Sequence, residues 1–213
     1  MEKCQEELIV KAINVCETNG CELAVIYLKQ FMLANQAKPN CKVNLYDLCS
    51  DIPVMNGIFH DKGFLVATDG HILAKIRNKY PEQLEGKIIT KSGEEVEGRF
   101  PNYKAVMEKY EEMIDVSIIK EKVIEAVKQS KLEKKIGGIY QKQVLCKAGK
   151  QYFKAEMLLK LLLLCESEKM QIREAKDSER AIMGKNTETG SESLLMPVYV
   201  DRISEPILID CNN

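Results

Sequence analysis

The spacing of apolar positions divides the chain into a helical start, a strand-rich middle and a second half in which strands and helices alternate. Apolar residues recur at helical spacing over residues 5–18. Asn19-Gly20 ends this predicted helix, since both residues are common at helix C-termini. Residues 22–34 fit either a second helix, which we favour, or a long strand. The pattern therefore predicts a helical N-terminal extension over residues 1–40.

Residues 41–112 predict short strands joined by tight turns. Ile58-Phe59 is typical of a strand, and His60-Asp61-Lys62-Gly63 of the turn that follows it. The stretch from Phe64 to Ala74 predicts two strands joined by a two-residue type I′ turn at Asp69-Gly70. Glycine has no Cβ and aspartate tolerates the left-handed region, so this pair suits that turn. No long helix is predicted between Tyr80 and Gly98.

Residues 113–202 predict a second unit that contains both strands and helices. A strand over 113–117 precedes an amphipathic helix over 118–135, a hairpin around Ala148-Gly149 and an aliphatic helix over 154–165. Three more strands follow, the last over 193–200. The whole pattern predicts an α+β fold with antiparallel sheets and helices on one face. We expect two domains, 41–112 and 113–202, and a C-terminal tail over 203–213.

Composition narrows the class of protein. The chain of 213 residues is 45% apolar and carries 31 basic against 32 acidic residues, so it lacks an overall basic charge for nucleic acid. No signal peptide and no stretch long enough to span a membrane is evident. Eight cysteines occur without a C-x-x-C pair. We expect free thiols, a cytoplasmic location, no metal or other cofactor and no enzymatic activity.

Three segments resemble one known family. They are the hairpin Phe64-Leu-Val-Ala-Thr-Asp-Gly-His-Ile-Leu-Ala74, then Gly98-Arg-Phe-Pro-Asn-Tyr-Lys-Ala-Val106, then Leu194-Leu-Met-Pro-Val-Tyr-Val200. In this order they are similar to the bacterial DNA sliding clamp, the β subunit of the replicative polymerase. That family carries an ATDGHRLA-like hairpin, a GRFPDY segment and a closing VVMPM-like strand. The resemblance implies the DNA-clamp fold in a shortened, divergent form.

The resemblance also implies a binding site. In the clamp family these segments form an apolar pocket between neighbouring domains, which receives short linear peptides of polymerases, the clamp loader and repair proteins. Ile72 stands where the family usually has arginine, which removes a charge from the rim. Carried over residue by residue, the implied pocket contains Met55, Thr68, Gly70, His71, Leu73, Pro101, Val106, Leu194 and Met196.

DNA binding is a further implication. Clamp helices face an inner channel, and six lysines on the polar side of the helix over 118–135 would touch phosphates there: Lys120, Lys122, Lys128, Lys131, Lys134 and Lys135. The alternative for these lysines is a solvated surface. Three copies of a two-domain chain would supply the six domains of a ring that encircles DNA.

Two alternatives to a ring remain open. In the first, the chain is a ringless, monomeric clamp-fold interaction module or decoy without DNA binding. In the second, the apolar tail segment Ile207-Leu-Ile209 occupies the pocket and blocks it.

Overall fold

A computed structural model of the chain describes residues 43–78, 80, 82–107, 113–136, 142–165, 169–173, 181–186 and 189–212. The predicted N-terminal helical extension lies outside these residues. By their contacts the described residues form two compact units. Unit 1 contains residues 43–69 and 77–101, and unit 2 contains residues 70–76 and 102–212. The predicted domains, 41–112 and 113–202, are each one continuous stretch of the sequence, and their boundaries stay a prediction.

The predicted α+β class is confirmed by the elements. The described strands are β1 (Ile58–Asp61), β2 (Phe64–Thr68), β3 (Ile72–Arg77), β4 (Ile88–Ile89), β5 (Glu95–Val96), β6 (Met113–Ser117), β7 (Val144–Ala148), β8 (Gln151–Lys154), β9 (Lys169–Arg173), β10 (Ile182–Lys185), β11 (Glu192–Leu195) and β12 (Ile207–Asp210). The α-helices are α1 (Tyr103–Met107), α2 (Lys120–Ile136) and α3 (Ala155–Cys165). Short 3-10 helices cover Leu45–Leu48, Pro53–Met55, Glu82–Leu84 and Val200–Arg202. None of the helices described is long and apolar enough to cross a membrane.

Unit 1 is an antiparallel sheet of two hairpins, β1–β2 and β4–β5, joined by pairing of β1 with β4. Its strands run in the order β5-β4-β1-β2, with Phe59 opposite Val66 and Ile58 opposite Ile89. Between Tyr80 and Gly98 the described chain forms a 3-10 helix and two short strands, in keeping with the expected lack of a long helix there. The rings of Phe59 and Phe100 stack with centroids 5.0 Å apart.

The turn between β1 and β2 is shorter than predicted. His60 and Asp61 belong to β1, and only Lys62 and Gly63 form the turn, with φ angles of 49° and 79°. Two consecutive positive φ angles are the signature of a type I′ turn. Glu85 fixes it, since its carboxylate accepts the Lys62 N–H at 2.9 Å. That hydrogen bond lowers the pKa of Glu85.

The predicted type I′ turn at Asp69-Gly70 is wrong. Among the described residues only Lys62 and Glu205 have positive φ without being glycine, so Asp69 does not adopt the required conformation. Three residues, Asp69 to His71, separate β2 from β3, and Gly70 alone takes a positive φ, at 88°. The chain uses glycine there for one left-handed residue rather than for a two-residue turn.

Unit 2 contains two sheets. One is antiparallel in the order β3-β11-β10-β9-β6, and the other has the order β12-β7-β8. Helix α3 contacts β10 and β11 of the first sheet and β7 and β8 of the second, and α2 lies against α3. The aliphatic side of α3 is therefore buried, as its sequence predicts, through Leu158, Leu161, Leu162 and Cys165.

The predicted tail of residues 203–213 contains a strand, β12 (Ile207–Asp210). β12 pairs in parallel with β7, with Ile209 opposite Cys146. The Ile207 N–H donates to the Gln143 carbonyl at 2.9 Å, and Asn212 Oδ1 accepts the Gly149 N–H at 2.6 Å. The idea that Ile207-Leu-Ile209 blocks the pocket is therefore wrong, because its backbone is used in the sheet.

Gly57 offers a test of the packing in unit 1. A Cβ at this position would lie 2.8 Å from the Ile89 carbonyl oxygen and 2.9 Å from its carbon, and both are backbone atoms. We expect Gly57→Ala to lower the free energy of unfolding by about 1–3 kcal/mol, the usual cost of overpacking. Denaturant unfolding measures this change. The exposed neighbour Asn56 provides the control, since Asn56→Ala should change stability by less than about 0.5 kcal/mol. Equal changes in stability for Gly57→Ala and Asn56→Ala would contradict the expectation.

Candidate functional site

The pairing of β3 with β11 brings two of the three sequence motifs together within unit 2. Leu73 lies opposite Leu194, and Ile72 opposite Leu195. All four side chains are buried. Ile72, at the position where the family resemblance implies arginine, is thus a core residue of the sheet and contributes no charge to the surface.

Beyond Leu195 the chain leaves the sheet. The prediction of a strand up to residue 200 is wrong, since β11 ends at Leu195. Pro197 has no N–H for a ladder, which favours this end. The segment is instead held by single hydrogen bonds: the Met196 N–H donates to the His71 carbonyl, and the Val198 N–H donates to the Tyr152 carbonyl, both at 2.8 Å.

A pocket of about 460 Å³ opens beside this segment, wholly within unit 2. We call it the Met196 pocket. Its lining comes from the β2–β3 loop, from the β7–β8 hairpin and the start of α3, and from the segment after β11: Gly70, His71, Gln143, Lys154, Met157, Leu195, Met196, Pro197, Val198, Tyr199, Arg202 and Ile203.

The Met196 pocket combines apolar walls with two cations. Met157, Leu195, Met196, Val198 and Ile203 supply aliphatic or thioether surface, and Met196 keeps 40% of its surface exposed. Lys154 and Arg202 are exposed, and no carboxylate lies among the lining residues. This chemistry suits an apolar side chain in a partly open site.

Five of the nine predicted site residues lie at or beside the β3–β11 pair. Gly70, His71 and Met196 line the Met196 pocket. Leu73 and Leu194 form the buried β3–β11 pair at 8% and 3% exposure.

The remaining four predicted site residues lie outside the lining of this pocket. Val106 is exposed in α1 of unit 2. Met55, Thr68 and Pro101 belong to unit 1, where Thr68 is buried and Pro101 exposed. The assignment of all nine residues to one site stays a prediction.

Several lining residues were not predicted. Met157 lies at the start of a helix whose other side is aliphatic, and Gln143 and Lys154 flank the β7–β8 hairpin. A methionine in an otherwise leucine-rich helix is a weak signal for a binding surface. Tyr199 lies within the last motif and Arg202 and Ile203 follow it, and none of the three carries a pattern that predicts a site.

The predicted DNA-facing lysines lie on α2, whose apolar side is buried through Val123, Ala126 and Val127. Lys122 donates to the Asn212 carbonyl at 3.4 Å, and Lys134 pairs with Glu156 at 2.7 Å. Both cations therefore have partners within unit 2. Lys128, Lys131 and Lys135 are exposed. DNA contact by these lysines stays a prediction.

The two histidines have different surroundings. His71 is exposed at the Met196 pocket, whereas His60 is fully buried in β1. Among the described residues no group of three or more His, Cys, Asp and Glu side chains is placed to hold a metal ion. The His60 Nδ1 lies 3.3 Å from the Lys87 carbonyl oxygen, while Nε2 has no partner among the described residues. Burial lowers the pKa of His60 because the charged imidazolium loses its hydration.

The class of fold defined by these sheets and helices is that of the DNA sliding clamps. Three solved clamps illustrate the likeness. The sliding clamp (DNA polymerase III subunit beta) of Bartonella birtlesii, bound to griselimycin, has 16% identity and a TM-score of 0.52. The beta sliding clamp of C. crescentus has 14% identity and a TM-score of 0.56. The Helicobacter pylori beta clamp, bound to a DNA ligase peptide, has 14% identity and a TM-score of 0.51.

The likeness is partial in length. The matches cover 81%, 81% and 79% of this chain, and the chain spans 64% of each clamp. No protein-family model and no curated protein sequence matches the chain. The predicted likeness to a shortened, divergent clamp is thus confirmed at the level of the fold.

His60 makes stability depend on pH. Its pKa in the folded protein is below the value of about 6.5 in the unfolded chain, so the unfolded state takes up the proton first. Stability should therefore fall as the pH drops below about 6.5, by at most about 1.4 kcal/mol per pH unit. Chemical unfolding at pH 7.5 and 5.5 should show a smaller loss for His60→Gln than for the native chain. His71→Gln, which changes the exposed histidine, should keep the native loss; an equal loss in all three proteins would refute the role of His60.

Proposed function

We propose that this chain is a non-enzymatic, sliding-clamp-like accessory protein of DNA replication or repair, which binds short peptide segments of partner proteins in the Met196 pocket. The observation that carries the proposal is the β3–β11 pairing, which places His71 and Met196 at one pocket. The fold of the sliding clamps, two of them solved with griselimycin or a DNA ligase peptide bound, supports it.

The size and chemistry of the pocket favour a peptide side chain. A volume of about 460 Å³ lies within the usual range for ligand sites, roughly 300–1,000 Å³. Methionine side chains adapt to differently shaped ligands. Burial of one leucine or phenylalanine contributes roughly 1.5–3 kcal/mol. Because this is weak alone, we expect backbone hydrogen bonds to add to the affinity.

The proposed partners are the linear motifs of a polymerase, a clamp loader or repair proteins. The predicted site also includes Met55, Thr68, Leu73, Pro101, Val106 and Leu194, and these residues stay part of the proposal. A cytoplasmic location belongs to the same proposal.

Met196→Asp tests the pocket directly. The substitution places a charge on the apolar wall, and a buried side chain of the ligand would then meet an unpaired carboxylate. We expect the affinity for the DNA ligase peptide of the Helicobacter pylori complex to fall at least about tenfold, since the change removes apolar contact worth about 1.5–3 kcal/mol. Fluorescence anisotropy of the labelled peptide measures the affinity, with griselimycin as a competitor.

A matched control separates this effect from general damage. Leu132 is an exposed apolar residue on α2 and does not line the pocket. Leu132→Asp should leave peptide affinity unchanged. If Met196→Asp binds the peptide as the native protein does, the pocket is not the binding site.

A ringless module is the second candidate function. It is favoured by β12, because this strand covers an edge of β7 that would otherwise be open to pairing with another chain. Light scattering on the purified protein separates the two forms. A stable trimer would support a ring that encircles DNA through the lysines of α2, and a monomer would support the ringless module.

A further inference from the structure

We infer that the Met196 pocket selects peptides in which an apolar side chain stands next to a carboxylate, and that Arg202 is the residue that recognises the carboxylate. This inference rests on the proposed function, because it names the chemistry of the peptide that the same pocket would take. Arg202 is a specificity residue supplied by the segment that follows β11.

The charge of the pocket is the first argument. Of the lining residues, Lys154 and Arg202 are cationic and none is acidic. Neither of them forms an ion pair with another described residue, in contrast to Lys134, which pairs with Glu156 at 2.7 Å. A ligand carboxylate is therefore the complementary group for this rim.

The second argument is that Arg202 is held in place. Its guanidinium carbon lies 4.7 Å from the centroid of the Tyr199 ring, a cation–π distance. It ends the 3-10 helix Val200–Arg202, in which the Ile203 N–H donates to the Val200 carbonyl at 2.9 Å. A planar guanidinium fixed on a ring presents its N–H donors with less loss of entropy than a mobile lysine.

The segment that carries Arg202 is also anchored at both ends. The Val198 N–H donates to the Tyr152 carbonyl at 2.8 Å, and the Ile207 N–H donates to the Gln143 carbonyl at 2.9 Å. Both acceptors belong to the region of the β7–β8 hairpin. The wall formed by Tyr199, Arg202 and Ile203 is thus preformed, which reduces the cost of binding.

The apolar and charged groups of the pocket act together. Met196 and Ile203 line the pocket that would receive the apolar side chain of the peptide, and Arg202 lines the same pocket. A charge-assisted hydrogen bond beside a buried apolar contact is stronger than one in open water. Since Arg202 is exposed, we expect a moderate effect that weakens with salt.

The experiment uses the full chain and peptides that differ in one group. The probe is acetyl-Gly-Ser-Asp-Leu-Leu-Ser-amide carrying a fluorophore. Its matched forms have Asn or Lys in place of Asp, or Ser in place of both leucines. A further form, acetyl-Gly-Ser-Asn-Leu-Leu with a free C-terminus, asks whether a terminal carboxylate serves as well as a side chain. Anisotropy titrations at low and at physiological salt give the affinities.

We expect the Asp peptide to bind about three- to tenfold more tightly than the Asn peptide, the range for a partly exposed charged contact. Arg202→Gln should remove that preference, so that the Asp and Asn peptides bind with equal affinity. Arg202→Glu should reverse it in favour of the Lys peptide. Lys128→Gln, which removes an exposed cation outside the pocket, should keep the native preference.

The outcomes separate this inference from the proposed function. Equal binding of the Asp and Asn peptides, with loss of both in Met196→Asp, would overturn the role of Arg202 and keep the pocket. Equal binding of the leucine and serine peptides would overturn both. Selectivity that survives Arg202→Gln and disappears in Lys154→Gln would assign recognition to Lys154 and would also refute the inference. Tight binding of the peptide with the free C-terminus would support carboxylate recognition and would show that the pocket accepts a C-terminal carboxylate as well as a side-chain carboxylate.

Discussion

The pairing of β3 with β11 is the interaction on which the rest of the candidate site depends. It joins strands from distant parts of the sequence, Ile72–Arg77 and Glu192–Leu195, and fixes their register through the buried Leu73–Leu194 pair. Because a register shift of one residue turns every side chain to the other face, this buried pair also determines where Met196 leaves the sheet. The Met196 N–H then bonds to the His71 carbonyl at 2.8 Å and continues the pairing by one residue. Without that register, His71 and Met196 would not share a pocket.

The segment after β11 has two structural roles, and the first depends on the second. Its first part, up to Ile203, forms a wall of the Met196 pocket, and its last part, β12, extends the sheet of the β7–β8 hairpin. At this end the buried Cys211 forms a hydrogen bond with Cys146, and this hydrogen bond, together with burial, raises the pKa of the Cys146 thiol. Since β12 anchors the far end of the segment, a loss of β12 pairing would also loosen the wall that carries Arg202.

The sequence predicted the elements whose signals are local and periodic. Strand β6 begins and ends at the predicted residues 113 and 117, and α3 begins one residue after its predicted start and ends at the predicted Cys165. The local signal predicts a type I′ turn at Asp69-Gly70, whereas the structure has such a turn at Lys62-Gly63, where the carboxylate of Glu85 and the hydroxyl of Tyr80 accept backbone N–H groups. The end of β11 and the parallel pairing of β12 likewise depend on contacts distant in sequence. Three motifs suffice to predict the clamp fold, whereas Arg202 follows the last motif and has no local signal.

The edge strand β12 constrains how copies of this chain could assemble. An open edge on β7 would offer unpaired N–H and C=O groups to another chain, and β12 occupies it. Among the described strands β12 is then the new edge of that sheet; it is four residues long and ends at Asp210. Short length and terminal charge are the features by which edge strands avoid further pairing. Leu208 is 46% exposed, and Ile207 and Ile209 are partly exposed. A ring that forms by strand pairing at this edge of the sheet would therefore use the short strand β12 in place of β7.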